Sequence, residues 1–113
     1  MRLAIIGVGG MGGYYAARLQ RAGHPVTLVA RGGQLSALQS NGLRVEHPEF
    51  RFSEPVTAMD MPGLCDRPTG DFDGVMVATK SAATAEIVEA LRRWFDASGA
   101  RLPVVSLQSG VDN

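Results

Sequence analysis

The sequence contains one cysteine, Cys65, and only two histidines, His24 and His47. A lone cysteine excludes an internal disulfide, and so few nitrogen and sulfur ligands argue against a structural zinc site; no metal ligand is assigned. Apolar runs reach about six residues, far below the roughly 20 that a membrane-spanning helix needs, so no membrane association is expected. The opening run, Met1-Arg2-Leu3-Ala4-Ile5-Ile6-Gly7, is too short for a secretory leader, and a reducing, cytoplasmic setting is the expectation. Acids are missing from the first 45 residues: all 11 lie from Glu46 onward, whereas Arg2, Arg18, Arg21, Arg31 and Arg44 come before it. Lysine occurs once, as Lys80.

The 11 basic and 11 acidic side chains nevertheless cancel, and a pI near 6.7 argues against a general binder of nucleic acid. The acid-free half suits a small anionic ligand if its arginines converge, although Arg18 and Arg21 are expected to solvate the outer face of a helix. A chain of 113 residues has room for one domain that buries about two thirds of its surface.

Strand and helix patterns alternate. Leu3–Ile6 is a short apolar run ending on glycine, as buried strands do. Met11–Ala22 reads as a helix with Tyr15, Leu19 and Ala22 on one side and Gly23 as its cap. Pro25–Ala30 reads as a second buried strand and Gln34–Ser40 as a short helix carrying Leu35 and Leu38. Leu43–Glu46 and Phe50–Ser53 alternate about His47-Pro48-Glu49, a hairpin pattern. Val56–Met59 is expected as a third parallel strand, Asp60–Gly70 as a surface loop and Gly74–Ala78 as a further buried strand. Ser81 is placed to cap a helix over Ala82–Ala97 with an inward stripe of Ile87, Val88, Leu91 and Phe95; Glu89 and Arg93 form a surface pair, and Trp94 falls on a flank that packs on the sheet or on a neighbouring domain. Pro103–Leu107 is the last strand. This order predicts an α/β fold of Rossmann type, a doubly wound, mostly parallel sheet with helices on both faces, plus a small β-hairpin.

Gly7-Val8-Gly9-Gly10-Met11-Gly12 fits G-x-G-x-x-G. Three glycines alone are a weak signal in a glycine-rich chain, but this set follows a strand, opens a helix and precedes a second strand. In that setting Gly7 permits the tight turn, Gly9 lets backbone approach a pyrophosphate, and Gly12 lets the helix pack on the strand. The N–H groups of Val8, Gly10 and Met11 belong to the same phosphate-binding loop. An NAD-type site would place an acid at the end of the second strand to bind the ribose 2′-OH. Ala30 and Arg31 stand there instead. A guanidinium suits a 2′-phosphate, so the predicted cofactor is NADP.

Thr79-Lys80 follows the strand at 74–78 at its carboxyl end, within reach of the same phosphate; a cation at a helix start opposes the dipole and asks for such a reason. Gln108-Ser109-Gly110 follows the last strand on the nicotinamide side, where Ser109 bonds ligand or backbone or simply makes a turn. Cys65 has no histidine beside it, His24 and His47 lie in a loop and a turn, and Asp71 and Asp73 lead into a strand at its amino end, where they are expected to be solvated. No Ser-His-Asp set or carboxylate pair suited to hydrolysis is visible, and no catalytic residue is assigned.

The motifs Gly7–Gly12, Val26-Thr27-Leu28-Val29-Ala30-Arg31-Gly32, Val77-Ala78-Thr79-Lys80 and Ser106-Leu107-Gln108-Ser109-Gly110, in this order and spacing, resemble the N-terminal domain of the ketopantoate reductase (2-dehydropantoate 2-reductase) family. The resemblance spans essentially the whole chain. It implies NADPH-dependent reduction of a small 2-oxoacid, ketopantoate to pantoate on the route to coenzyme A, with Arg31 and Lys80 on the 2′-phosphate. The family usually has asparagine, in contact with cofactor and substrate, where this chain has the shorter Ser109. The family's catalytic lysine and substrate-binding acid lie in a C-terminal helical domain, and the chain stops at Asn113, before it. Residues 1–113 are thus expected to form the NADP-binding domain, binding cofactor with little or no turnover. Lys80 does not replace the catalytic lysine. Two rivals are a stand-alone NADP-sensing module, homodimeric through a sheet edge, and the cofactor domain of another two-domain dehydrogenase.

Overall fold

The computed structural model describes residues 1–9, 11–79 and 81–107. Gly10, Lys80, Gln108 and Ser109 lie outside this range, as does the side chain of Ser81, expected to cap the long helix. The elements run β1 (Leu3–Ile6), α1 (Met11–Arg21), β2 (Val26–Val29), α2 (Gly32–Asn41), β3 (Leu43–His47), β4 (Phe50–Glu54), β5 (Thr57–Met59), α3 (Met61–Cys65), a 3-10 turn (Thr69–Asp71), β6 (Gly74–Val77), α4 (Ser81–Ser98) and β7 (Val104–Ser106). Five strands form one sheet in the order β5-β2-β1-β6-β7, every neighbouring pair parallel. The hairpin expected around His47-Pro48-Glu49 forms as a separate antiparallel pair, β3 with β4, in which Val45 faces Phe52.

The sheet is apolar on both faces because helices cover both. Ile5 and Leu28 are fully buried on one side with α1 and the hairpin phenylalanines. Ala4, Ile6, Val29, Val75 and Val77 point to the other side, against Leu91, Trp94 and Phe95 of α4. Alternation along β1 thus feeds two cores, which is why its four residues read as a continuous apolar run. The chain moves outward from β1 to β2 and then returns to β6 on β1's other side, so β1 is the point at which the strand order reverses.

Several expectations need correction. The inward face of α1 consists of Gly12, Gly13, Ala16 and Ala17, while Leu19 and Tyr15 are half-buried and Ala22 is exposed. Helix and sheet approach too closely at this crossover for large side chains. On α4, Val88 is 51% exposed, and Trp94, at 5%, completes the stripe with Ile87, Leu91 and Phe95. These positions follow the i, i+4, i+7, i+8 spacing, from which Val88 is rotated by one residue's turn. Trp94 donates its indole N–H to the Arg67 carbonyl at 2.8 Å and packs edge-on against Phe72.

The segment over 60–70 is not merely a surface loop. Asp60 accepts the Gly63 N–H through Oδ1 at 2.8 Å, Pro62 preorganises the first turn, and the resulting helix α3 buries Leu64 completely. Arg18 does more than solvate α1: its guanidinium lies 4.4 Å from the Phe50 ring centre, and Arg21 donates to the Arg51 carbonyl at 2.7 Å. Both arginines fasten the hairpin to α1. Asp73 and Asp71, expected to be solvated, are half exposed but paired with Arg2 and Arg67.

Candidate functional site

The carboxyl ends of the parallel strands open on a crevice of about 500 Å³. Ile6 and Gly7 from the end of β1, Val29 to Arg31 from the end of β2, Asp60 after β5 and Thr79 after β6 contribute to its lining. Ladder bonds fix these strand ends: Gly7 N–H donates to the Val29 carbonyl at 2.9 Å and Ala78 N–H to the Ile6 carbonyl at 2.8 Å. A second concavity, about 590 Å³, lies near the amino ends, but its arginines, Arg2 and Arg67, are each neutralised by an aspartate. The crevice at the carboxyl edge instead carries an arginine, Arg31, with no acidic partner among the described residues.

The glycine loop divides into structural and non-structural positions. Gly7 has φ +96°, and a Cβ there would lie 2.8 Å from Thr79 Cγ2 and 2.9 Å from the Ala78 carbonyl oxygen. At Gly12 a Cβ would lie 2.0 Å from the Gly7 carbonyl oxygen, so helix α1 starts directly against the turn. Gly9 differs: its φ is not positive and a Cβ would meet nothing within 4 Å. Among the described residues nothing requires glycine there, and the space above the loop is open.

Among the described residues no acceptor pairs with the backbone N–H groups of Val8, Gly9 or Met11. The Val8 side chain is buried in the core, which leaves its amide as its polar contribution and anchors the loop. The first turn of α1 holds no acid; Gly12 and Gly13 donate to the Gly9 and Val8 carbonyls at 3.3 and 3.1 Å, which leaves the Met11 N–H at the positive helix end. Unpaired amides at a helix start are the chemistry by which proteins hold phosphate-like anions.

Arg31 stands at the N-cap of α2 with extended backbone and an exposed side chain. Among the described residues it has no carboxylate partner, whereas Arg2, Arg44, Arg67, Arg92 and Arg93 all do. The arginines of the acid-free half therefore do not converge: Arg31 alone lines the crevice, while Arg18 and Arg21 serve the hairpin and Arg2 the opposite edge. Thr79 lies against Gly7 and exchanges a hydrogen bond with Thr84 at 3.2 Å. This brings the loop that precedes Lys80 beside the glycine turn.

Sequence reasoning missed the far wall of the crevice, in which Met61 and Pro62 of α3 join Ala83, Glu86, Ile87 and Ala90 of α4. No motif marks these residues, and α3 itself was unforeseen. Cys65 is half-buried outside the crevice lining, and burial pushes its thiol above the ordinary range, with the Asp66 charge acting in the same direction. His24 accepts from the N-terminal amine through Nδ1 at 2.9 Å, away from the crevice. Among the described residues no cluster of metal-ligating side chains occurs, and no helix is long and apolar enough to cross a membrane.

Comparison with known proteins agrees with this architecture. A 2-dehydropantoate 2-reductase from Mesorhizobium japonicum is 35% identical over 112 residues, covering 98% of this chain and 32% of the relative. A crystal structure of a PanE/ApbA family ketopantoate reductase from Ralstonia eutropha superposes with TM-score 0.79 at 35% identity, covering 100% of this chain and 36% of that one. A D-mandelate dehydrogenase solved with NADH and anilino(oxo)acetate, 17% identical with TM-score 0.75 over 99% of this chain and 35% of its own, shares the fold. The chain thus spans about a third of the length of the relatives it matches. The family profile described as ketopantoate reductase PanE/ApbA matches residues 3–113, and the chain belongs to that family.

Proposed function

We propose that this chain is the NADP(H)-binding part of an oxidoreductase that reduces a small 2-oxoacid, ketopantoate to pantoate being the reaction its family membership favours. The observation that carries the cofactor choice is Arg31. It is exposed at the end of β2, lines the crevice and has no acidic partner among the described residues, where an NAD-type site would have a carboxylate. When bound, the nicotinamide supplies the hydride.

In this reading the chain's own residues bind and orient. The amides of Val8, Gly9, Gly10 and Met11 hold the pyrophosphate; Gly7 and Gly12 set the turn that aims them. Arg31 and Lys80 take the 2′-phosphate. Gln108 and Ser109 are assigned to the nicotinamide end, with Ser109 offering a hydroxyl where the family usually has an amide. The groups that polarise the ketone and hold the acid belong to a C-terminal helical domain, so this chain contributes position and charge but no catalytic residue.

The test mixes the 113-residue chain with NADPH and ketopantoate and follows both binding and NADPH oxidation. Binding without oxidation supports the division of labour. Oxidation that disappears in Lys80→Ala overturns it, and absence of NADPH binding overturns the cofactor assignment itself.

A further inference from the structure

The crevice continues past the glycine loop into a slot between α3 and α4. Met61 and Pro62 form one wall; Ala83, Ile87 and Ala90, at i, i+4 and i+7 of α4, form the other. From Ala83 to Ala90 the helix rises about 10 Å, enough to flank a planar bicyclic base. The walls carry no polar side-chain atoms other than the polarizable Met61 sulfur, so they favour a ring held by its faces.

Among the described residues, the lining carries two charged side chains of opposite sign with no hydrogen-bond or ion-pair partner. Arg31 is one and Glu86 is the other; among the described residues Glu86 has neither an ion-pair nor a hydrogen-bond partner. Its neighbour Glu89 is held by Arg92 and Arg93, and Asp60 has one oxygen committed to the Gly63 amide. Among the described residues Glu86 is therefore the carboxylate of the lining with neither oxygen committed. A ligand matched to this pair has an anion at one end and an N–H donor on a flat ring at the other.

We propose that Glu86 accepts a hydrogen bond from the exocyclic amino group of a purine and so makes the crevice selective for adenine over 6-oxopurines. Approached from the N7 side, away from its N1–H, a 6-oxopurine turns only a carbonyl lone pair toward the carboxylate at that position, and two acceptors repel. This assignment rests on the dinucleotide reading above but adds a residue and a base preference to it.

The probes are NADPH and its hypoxanthine analogue, in which the 6-amino group is replaced by oxygen, titrated calorimetrically into the 113-residue chain. The wild type is expected to prefer NADPH by about tenfold, the scale of one charge-assisted hydrogen bond partly exposed to water. Glu86→Ala should bind the two within about twofold of each other. Glu86→Gln, whose amide also donates, should gain affinity for the analogue over wild type, a change that a purely structural role would not produce. NADPH binding with no base preference, or a preference that survives Glu86→Ala, overturns the role of Glu86 and leaves the cofactor reading intact. Failure to bind NADPH overturns both.

Discussion

A Cβ on Gly12 would lie 2.0 Å from the carbonyl oxygen of Gly7, whereas one on Gly9 would meet no atom within 4 Å. The two motif glycines thus differ: the fold requires the first, and under the cofactor proposal a ligand explains the second. Gly12→Ala should destabilise the protein by more than the ~1–3 kcal/mol of ordinary overpacking, because the clash is with backbone. Gly9→Ala should leave stability within about 0.5 kcal/mol and still weaken NADPH binding severalfold. Urea midpoints and a cofactor titration on both variants check the pair.

Arg31→Ala removes the guanidinium that lines the crevice at the end of β2. Charge-assisted hydrogen bonds contribute about 1.5–3 kcal/mol, so NADPH affinity should fall by about 10- to 100-fold. NADH, which lacks the 2′-phosphate, should lose no more than about twofold. Parallel calorimetric titrations separate the two effects.

Arg2 and Asp73 join the amino ends of β1 and β6: Asp73 accepts from the Arg2 backbone N–H at 2.7 Å and from its guanidinium at 3.2 and 3.3 Å. The hydrogen bond from the guanidinium, then that from the backbone, bring the Asp73 carboxyl down from the ordinary carboxylate range to about 2. A depressed folded-state pKa stabilises the protein above the unfolded-state value, and that contribution fades as pH falls toward 2. Asp73→Asn should therefore have a lower urea midpoint than wild type at neutral pH, with the gap narrowing on acidification below about pH 4.

Trp94 is the sole tryptophan, with its ring in the core and its N–H on the Arg67 carbonyl. Trp94→Phe keeps most of the apolar volume but leaves that carbonyl without its donor, at a cost of roughly 1–3 kcal/mol. Circular dichroism during urea unfolding measures it without relying on the lost fluorophore.

The parallel strands and the glycine turn were legible because both depend on local patterns: apolar β-branched runs, and glycines where the chain must turn or touch itself. Arg31 was legible for a simpler reason, since the residue after a buried strand faces the crevice. The inward face of α1 departs from the large apolar pattern because proximity to the sheet admits only Gly12, Gly13, Ala16 and Ala17. The α3 wall was hidden by Pro62 and Gly63, which read as loop residues until Asp60 is seen to cap them. Glu86 carried no motif at all; its place in the crevice follows from the packing of α4 beside α3, a tertiary relationship that spacing does not encode.

The most direct measurement is a side-by-side calorimetric titration of the wild-type chain with NADPH and NADH. Tighter binding of NADPH, by at least about tenfold, is the result predicted from Arg31, which lines the crevice with Gly7 and has no acidic partner among the described residues. Equal affinity for the two cofactors, or tighter binding of NADH, would contradict it.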